Sequence, residues 1–201
     1  MSAKFNPRAF IFVGPSGGGK GTQTQLLIDA LKKRDSTFGF IHIETGKELR
    51  KFIQGKSLTQ ELSHELYVTD KLQPEFTAIL MWANILSEKY TGNEHLIFDG
   101  SPRRIIEAHV LESAFSFYGF KRPIVVYLRI SHEEAMARLL KRKRQDDGED
   151  SIRKRLAWYE ENVTPTVDYY RKSSVYDFWD IDGGRSIAEV HADIVKRAGL
   201  V

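Results

Sequence analysis

The sequence predicts an α/β protein whose parallel β-sheet is covered by helices. Two observations carry this: short apolar runs rich in β-branched and aromatic residues recur along the chain, and longer helix-like segments separate them. A third sets the scale, since 201 residues make one domain with a sizeable core.

Strands are expected near residues 10–13, 40–43, 95–98, 124–128 and 175–181, which gives a five-stranded sheet. Parallel neighbours need crossovers, and a helix over 21–33 supplies the first, with Leu27, Ala30 and Leu31 recurring on one face. From Thr45 to about Pro74 the pattern is helical and polar with no strand, as in an inserted helical subdomain. Thr45-Gly46-Lys47-Glu48 fits a capping box, with Thr45 at the N-cap and Glu48 reaching back. A second break, Lys141-Arg142-Lys143-Arg144-Gln145-Asp146-Asp147-Gly148-Glu149, is a dense charge run between two helical patterns.

Composition narrows the chemistry. With 41% hydrophobic and 28% charged residues, the chain is a soluble globular protein rather than a disordered one. Thirty Lys and Arg against 27 Asp and Glu leave a net charge of +3, too small by itself to argue for nucleic acid. The absence of cysteine excludes disulfides, thiol catalysis and Cys-ligated zinc. The six histidines stand apart with no metal-ligand spacing, and each reads as an ordinary surface or core residue. No apolar run approaches the roughly 18 residues of a membrane span, and the N-terminal residues do not resemble a secretory signal. A cytosolic protein is expected.

Gly14-Pro15-Ser16-Gly17-Gly18-Gly19-Lys20 follows the first strand and opens a helix, which is the spacing of a phosphate-binding P-loop. Its glycines let backbone N–H groups converge on phosphate oxygens, and the helix N-terminus adds its positive dipole end. Lys20 reaches the outer phosphates. A glycine-rich turn that binds nothing is the rival, and the flanking strand and Leu26-Leu27 helix weigh against it. Gly21 stands where Ser or Thr usually follows the lysine, and Thr22 comes next.

Gly19-Lys20-Gly21-Thr22-Gln23 resembles the adenylate kinase family of nucleoside monophosphate kinases. Phe98-Asp99-Gly100-Ser101-Pro102-Arg103 is similar to that family's Asp-Gly-Phe-Pro-Arg segment, and Glu44-Thr45-Gly46-Lys47-Glu48-Leu49-Arg50 to its Ser-Thr-Gly-Asp-x-x-Arg segment. Arg138-Leu139-Leu140-Lys141-Arg142, Arg144-Gln145-Asp146-Asp147 and Ile152-Arg153-Lys154-Arg155-Leu156 resemble the lid and its flanks. Ile181-Asp182-Gly183-Gly184-Arg185 resembles the loop that passes the ATP adenine. The resemblance implies a P-loop NTPase-type three-layer fold in a single kinase domain. A helical monophosphate-binding insert spans about 45–74 and a short lid about 141–149.

It also implies roles. Lys20, Arg103, Arg142, Arg144 and Arg155 would carry the transfer. ATP would lie on Gly14, Pro15, Ser16, Gly17, Gly18, Gly19, Lys20, Gly21 and Thr22, with Arg138, Arg142 and Arg185. The monophosphate would be bound by Thr45, Gly46, Arg50, Leu58, Gly100, Arg103, Glu107, Arg144 and Arg155. Asp99 and Thr22 would hold Mg²⁺ through water, and Asp146 and Asp147 would position the lid arginines.

This inventory suits phosphoryl transfer, which asks for positioning and charge neutralisation more than covalent chemistry. Arginine binds phosphate bidentately and stays charged. The acceptor is already a phosphate oxygen, so no strong general base is needed. A nucleic-acid surface over 141–149 is a poor alternative, because Asp146, Asp147, Glu149 and Asp150 abut the basic cluster.

Three departures from the family pattern stand out. The lid is minimal, with one residue between Arg142 and Arg144 and no zinc-bearing insert. Lys47 replaces an aspartate, opposing the helix dipole by a few tenths of a kcal/mol, roughly, an effect Glu48 could offset. Ser101 and Glu107 replace an aromatic residue and a glutamine near the base. An ionised glutamate offers acceptors only, which suits the guanine edge better than the adenine edge.

The expected reaction is reversible, Mg²⁺-dependent transfer from ATP to AMP giving two ADP, with weakened discrimination against GMP. GMP kinase, pyrimidine monophosphate kinase and a non-catalytic nucleotide-binding module are the alternatives. Neither nucleic acid nor membrane is expected as a partner, and the expected state is a monomer.

Overall fold

Strand β1 (Ala9–Val13) is buried along its whole length, because its Ala-Phe-Ile-Phe-Val run offers apolar side chains to both faces. The computed structural model describes residues 7–34, 36–69, 71–142 and 148–200. Among them β1 pairs in parallel with β3 (Glu94–Asp99) on one side and β4 (Ile124–Arg129) on the other. β2 (Gly39–Glu44) and β5 (Asp177–Asp182) complete the parallel order β2-β3-β1-β4-β5. The expected strands thus appear within about two residues of their predicted limits.

The two faces of β1 feed separate cores. Ala9, Ile11 and Val13 join Trp82, Leu86, Leu111, Phe115, Val167 and Tyr170, from α4 (Glu75–Lys89), α5 (Ile105–Phe117) and α8 (Thr164–Lys172). Phe10 and Phe12 join Leu27, Ile28 and Leu31 of α1 (Lys20–Arg34) and Val190 and Ile194 of α9 (Ile187–Arg197). Full burial of one such side chain stabilises by about 1.5–3 kcal/mol. The α1 face is Thr24, Leu27, Ile28 and Leu31, while Ala30 is only half-buried. This i, i+3, i+4, i+7 spacing displaces Ala30 from the centre of the stripe.

The insert contains α2 (Thr45–Phe52) and α3 (Leu58–Val68) before α4 begins. The expected capping box at Thr45 is corrected: Glu44 is the N-cap of α2, without a side-chain capping bond, and Glu48 pairs instead with Lys51 at 2.9 Å. The cause is strand length. Glu44 is still paired in the ladder opposite Asp99, so its extended backbone occupies the cap and the helix starts at Thr45. Lys47 has Glu44 Oε2 at 4.0 Å. Capping boxes do form at Ser57 with Gln60 and at Ser186 with Glu189.

Helix α6 (His132–Arg142) and α7 (Glu149–Asn162) share a small core of Ala135, Leu139, Ile152 and Leu156. Arg144, Asp146 and Asp147 lie outside the described residues. No described helix is long and apolar enough to cross a membrane. His95 is fully buried, its Nδ1 accepting the Arg8 N–H at 3.0 Å, as a core histidine does.

Candidate active site

The chain from β1 proceeds to β2 through α1, and β4 then lies on the opposite side of β1. This reversal is a topological switch point, and in open parallel sheets ligands bind at the strands' carboxyl ends there. The loop from Gly14 to Lys20 occupies that position.

Two of its glycines are demanded by contacts. A Cβ on Gly14 would lie 2.6 Å from the Leu128 carbonyl oxygen in β4, and one on Gly17, where φ is +83°, 2.9 Å from that of Ala135 in α6. The loop is therefore seated between β4 and α6. Lys20 curls back over it, its ammonium donating to the carbonyls of Gly14 at 2.7 Å and Pro15 at 3.0 Å.

Desolvation pushes the Lys20 ammonium down to about 8; Asp99 opposes this, and the positive charges of Arg103 and Arg142 reinforce it. These groups come from four elements or loops yet act on one ammonium. Burial pushes the Asp99 carboxyl up, with Lys20, His42 and Arg103 opposing and Glu44 adding to the rise. A Cβ at position 21 would stand 3.4 Å from Asp99 Oδ2, so glycine there leaves the carboxylate free beside the first turn of α1.

A pH-dependent outcome follows. A polyphosphate bound at this loop would raise the Lys20 pKa, so the complex would hold more protons than the free protein above about pH 8. Lys20-dependent affinity is then complete below pH 8 and falls as pH rises through it. Calorimetric titration with ATP at pH 8.5, where its phosphates are fully ionised, without magnesium, should show proton uptake. Heats independent of buffer ionisation enthalpy would remove Lys20 as the titrating group.

Arg103 is held on several sides. Its N–H donates to Glu107 Oε2 at 3.1 Å, its carbonyl accepts from Thr166 Oγ1 at 2.9 Å, and its Nε donates to the Gly100 carbonyl at 2.9 Å. The guanidinium carbon stands 5.8 Å from the Trp158 ring centroid. Glu107 is 4% exposed, and burial raises its carboxyl pKa against the pull of nearby backbone N–H groups and of Arg103 and Arg104. It does not turn to solvent. Arg104 makes its ion pair with Glu75. The Ser101 hydroxyl is buried without a hydrogen-bond partner among the described residues, as is the Thr45 hydroxyl at the start of α2. Gly46 and Arg50 follow on α2, Arg50 exposed, and Leu58 is 71% exposed at the start of α3.

On the other flank, a cleft of about 430 Å³ is lined by Gly17, Gly18, Gly19, Thr22, Gln23, Arg138, Gly183, Arg185, Ser186, Ile187 and Val190. Arg138 Nη2 donates to the Gly183 carbonyl at 2.9 Å, tying α6 to the loop after β5. Arg185 pairs with Asp193 at 2.8 Å and donates from Nε to the Asp182 carbonyl at 3.1 Å.

The sequence-predicted loop, Arg138 and Arg185 thus share one cleft, while Lys20, Asp99, Arg103 and Arg142 form an electrostatic cluster. Arg155 lies on α7, and Arg50 and Leu58 lie on the insert. Sequence reasoning missed Gln23, whose Nε2 donates to the Ile187 carbonyl at 2.9 Å across the cleft, and Asp193, Thr166 and Trp158. Gln23 had a signal, since it adjoins the P-loop; the other three are ordinary helix residues until the fold is known.

Comparison with known proteins identifies the family. The adenylate kinase family model matches residues 12–175. An adenylate kinase of Corynebacterium urealyticum is 39% identical over 163 residues, covering 80% of this chain and 84% of the relative. Another, from Thermus thermophilus, is 32% identical over 197 residues, or 96% and 98% of the two chains. That of Azobacteroides pseudotrichonymphae is 31% identical over 92% and 93%. Since the match runs from the end of β1 through α8 and these relatives are covered over most of their length, the chain belongs to the adenylate kinase family and is a nucleoside monophosphate kinase.

Proposed function

We propose that this enzyme transfers the γ-phosphoryl group of ATP to AMP, reversibly, giving two ADP. The supporting observation is that Lys20, held over the P-loop by the Gly14 and Pro15 carbonyls with Asp99 beside the first turn of α1, is within electrostatic reach of Asp99, Arg103 and Arg142. ATP lies in the cleft beside Arg138 and Arg185, its phosphates on Gly14, Pro15, Ser16, Gly17, Gly18, Gly19, Gly21 and Thr22. AMP lies against Thr45, Gly46, Arg50, Leu58 and Gly100, its phosphate on Arg103. Arg142, Arg144 and Arg155 neutralise the transferring group. An arginine set of this size suits turnover, since a binding module needs no transition-state clamp.

Mg²⁺ fits the donors present. The Asp99 carboxylate and Thr22 hydroxyl are hard oxygen groups near the P-loop, and Mg²⁺ commonly keeps waters between itself and such groups. When bound, it supplies charge neutralisation between the outer phosphates. Lys20 meets the same phosphates from the loop, and Arg103 orients the acceptor. A coupled assay with ATP and Mg²⁺ against AMP, GMP, CMP and UMP tests the reading. Absence of AMP turnover with activity on another acceptor would overturn it.

Base choice rests on Glu107 and Ser101. One Glu107 oxygen holds the Arg103 N–H, and the other is the group proposed to read the base. Glutamine at position 107 keeps a carbonyl for the backbone bond and presents a donor suited to adenine N1. Satisfying one buried group is worth roughly 1–3 kcal/mol, so Glu107→Gln should raise the AMP-to-GMP ratio of kcat/KM by about ten- to a hundredfold. An unchanged ratio in steady-state kinetics would confine Glu107 to holding the start of α5.

A further inference from the structure

We propose that Trp158 is a positioning residue for Arg103, and that through it helix α7 sets the angle of the guanidinium that receives the acceptor phosphate. The inference rests on the assignment of Arg103 to that phosphate.

The hydrogen bonds to Arg103 leave one freedom unaccounted for. Glu107 and Thr166 fix its main chain, and the Gly100 carbonyl fixes Nε. None of these stops the whole guanidinium plane from turning about the Nε–H···O bond, and a bidentate phosphate contact needs that plane held. The Trp158 ring, 5.8 Å from the guanidinium carbon, supplies the missing restraint. An indole attracts a cation through its quadrupole and shields one side from water.

Helix geometry extends the consequence. Arg155 precedes Trp158 by three residues on α7, and residues at i and i+3 share a face. One rigid element therefore carries both an arginine assigned to the transferring phosphoryl group and the ring that seats the acceptor's arginine. A rotation of α7 moves the two together.

A packing role alone is the competing account, since Trp158 is half-buried against the core beneath α4, α5 and α8. The accounts separate by ring chemistry. Trp158→Phe keeps an aromatic face, whereas Trp158→Leu keeps only apolar bulk. Trp158→Leu should lower kcat/KM for AMP by about three- to thirtyfold while leaving the ATP KM within about twofold. Trp158→Phe should retain most of the wild-type value. Combined with Arg103→Gln, Trp158→Leu should no longer change the AMP dissociation constant measured by calorimetry.

Wild-type AMP kinetics in Trp158→Leu would overturn the proposal. So would equal losses in the Phe and Leu variants, or a parallel rise in the ATP KM, because each reports packing alone. If Arg103→Gln leaves AMP binding intact, the assignment of Arg103 fails and the inference fails with it. If Arg103→Gln weakens AMP binding but Trp158→Leu does not, only the inference fails. Should Trp158→Leu not fold, fluorinated tryptophan weakens the ring face with little change in volume. Among the described residues Trp158 is the tryptophan found over a cation. AMP affinity should then fall stepwise with fluorination at constant ATP affinity, and no such trend would overturn the proposal.

Discussion

Lys20→Met is expected to lower kcat by about two to three orders of magnitude while the protein stays folded. Methionine keeps the length of the side chain but removes the ammonium that neutralises charge on the phosphates, and one preorganised electrostatic contact is worth roughly 10²–10³ in rate. The fold should tolerate the change, because the ammonium is partly desolvated and is held by the carbonyls of Gly14 and Pro15, from the loop it serves. Steady-state kinetics with ATP and AMP beside a thermal melt checks both halves. Near-normal turnover would remove Lys20 from the mechanism, and a collapsed melting curve would make its role structural.

Gly14→Val should have the largest effect on stability. Its Cβ would stand 2.6 Å from the Leu128 carbonyl oxygen, a backbone atom that can move only by displacing β4, which is paired between β1 and β5. Overpacking of this kind, with an unfavourable φ added, costs about 3–5 kcal/mol. For a chain of this size that corresponds to a fall in Tm of roughly 6–20 °C. Gly19→Ala is the control. Its φ is +85°, but no atom lies within 4 Å of the new Cβ, so its cost should be confined to backbone strain of about 1–2 kcal/mol. Equal melting temperatures for the two variants would show that contact with β4 does not govern the seat of the loop.

The parts legible in the sequence were those written in local chemistry. A buried parallel strand announces itself as an unbroken apolar run, so β1 and β4 are readable, and a P-loop is recognised by its glycine and lysine spacing between a strand and a helix. The start of α2 was misplaced by one residue because strand pairing, a long-range interaction, keeps Glu44 extended opposite Asp99. Glu107 illustrates a different limit. Whether a buried carboxylate faces a ligand or returns to its own helix start is decided by a side-chain rotamer, and here one oxygen returns to the Arg103 N–H. Trp158 and Thr166 reach Arg103 only because α7 and α8 pack beside the loop after β3, and no local pattern marks that meeting.

The small core shared by α6 and α7 has a bearing on how the protein breathes. Ala135, Leu139, Ile152 and Leu156 form a cluster separate from the two that flank the sheet. Contiguous units with few buried contacts open at lower free energy than the whole molecule. The helical pair that carries Arg142 and Arg155 can therefore fluctuate as a unit of its own, with amide hydrogens that exchange sooner than those of β1. Trp158 and Tyr159 anchor α7 to the larger core and Arg138 anchors α6 to the loop after β5, so the four side chains between the helices set how far the pair loosens about those anchors.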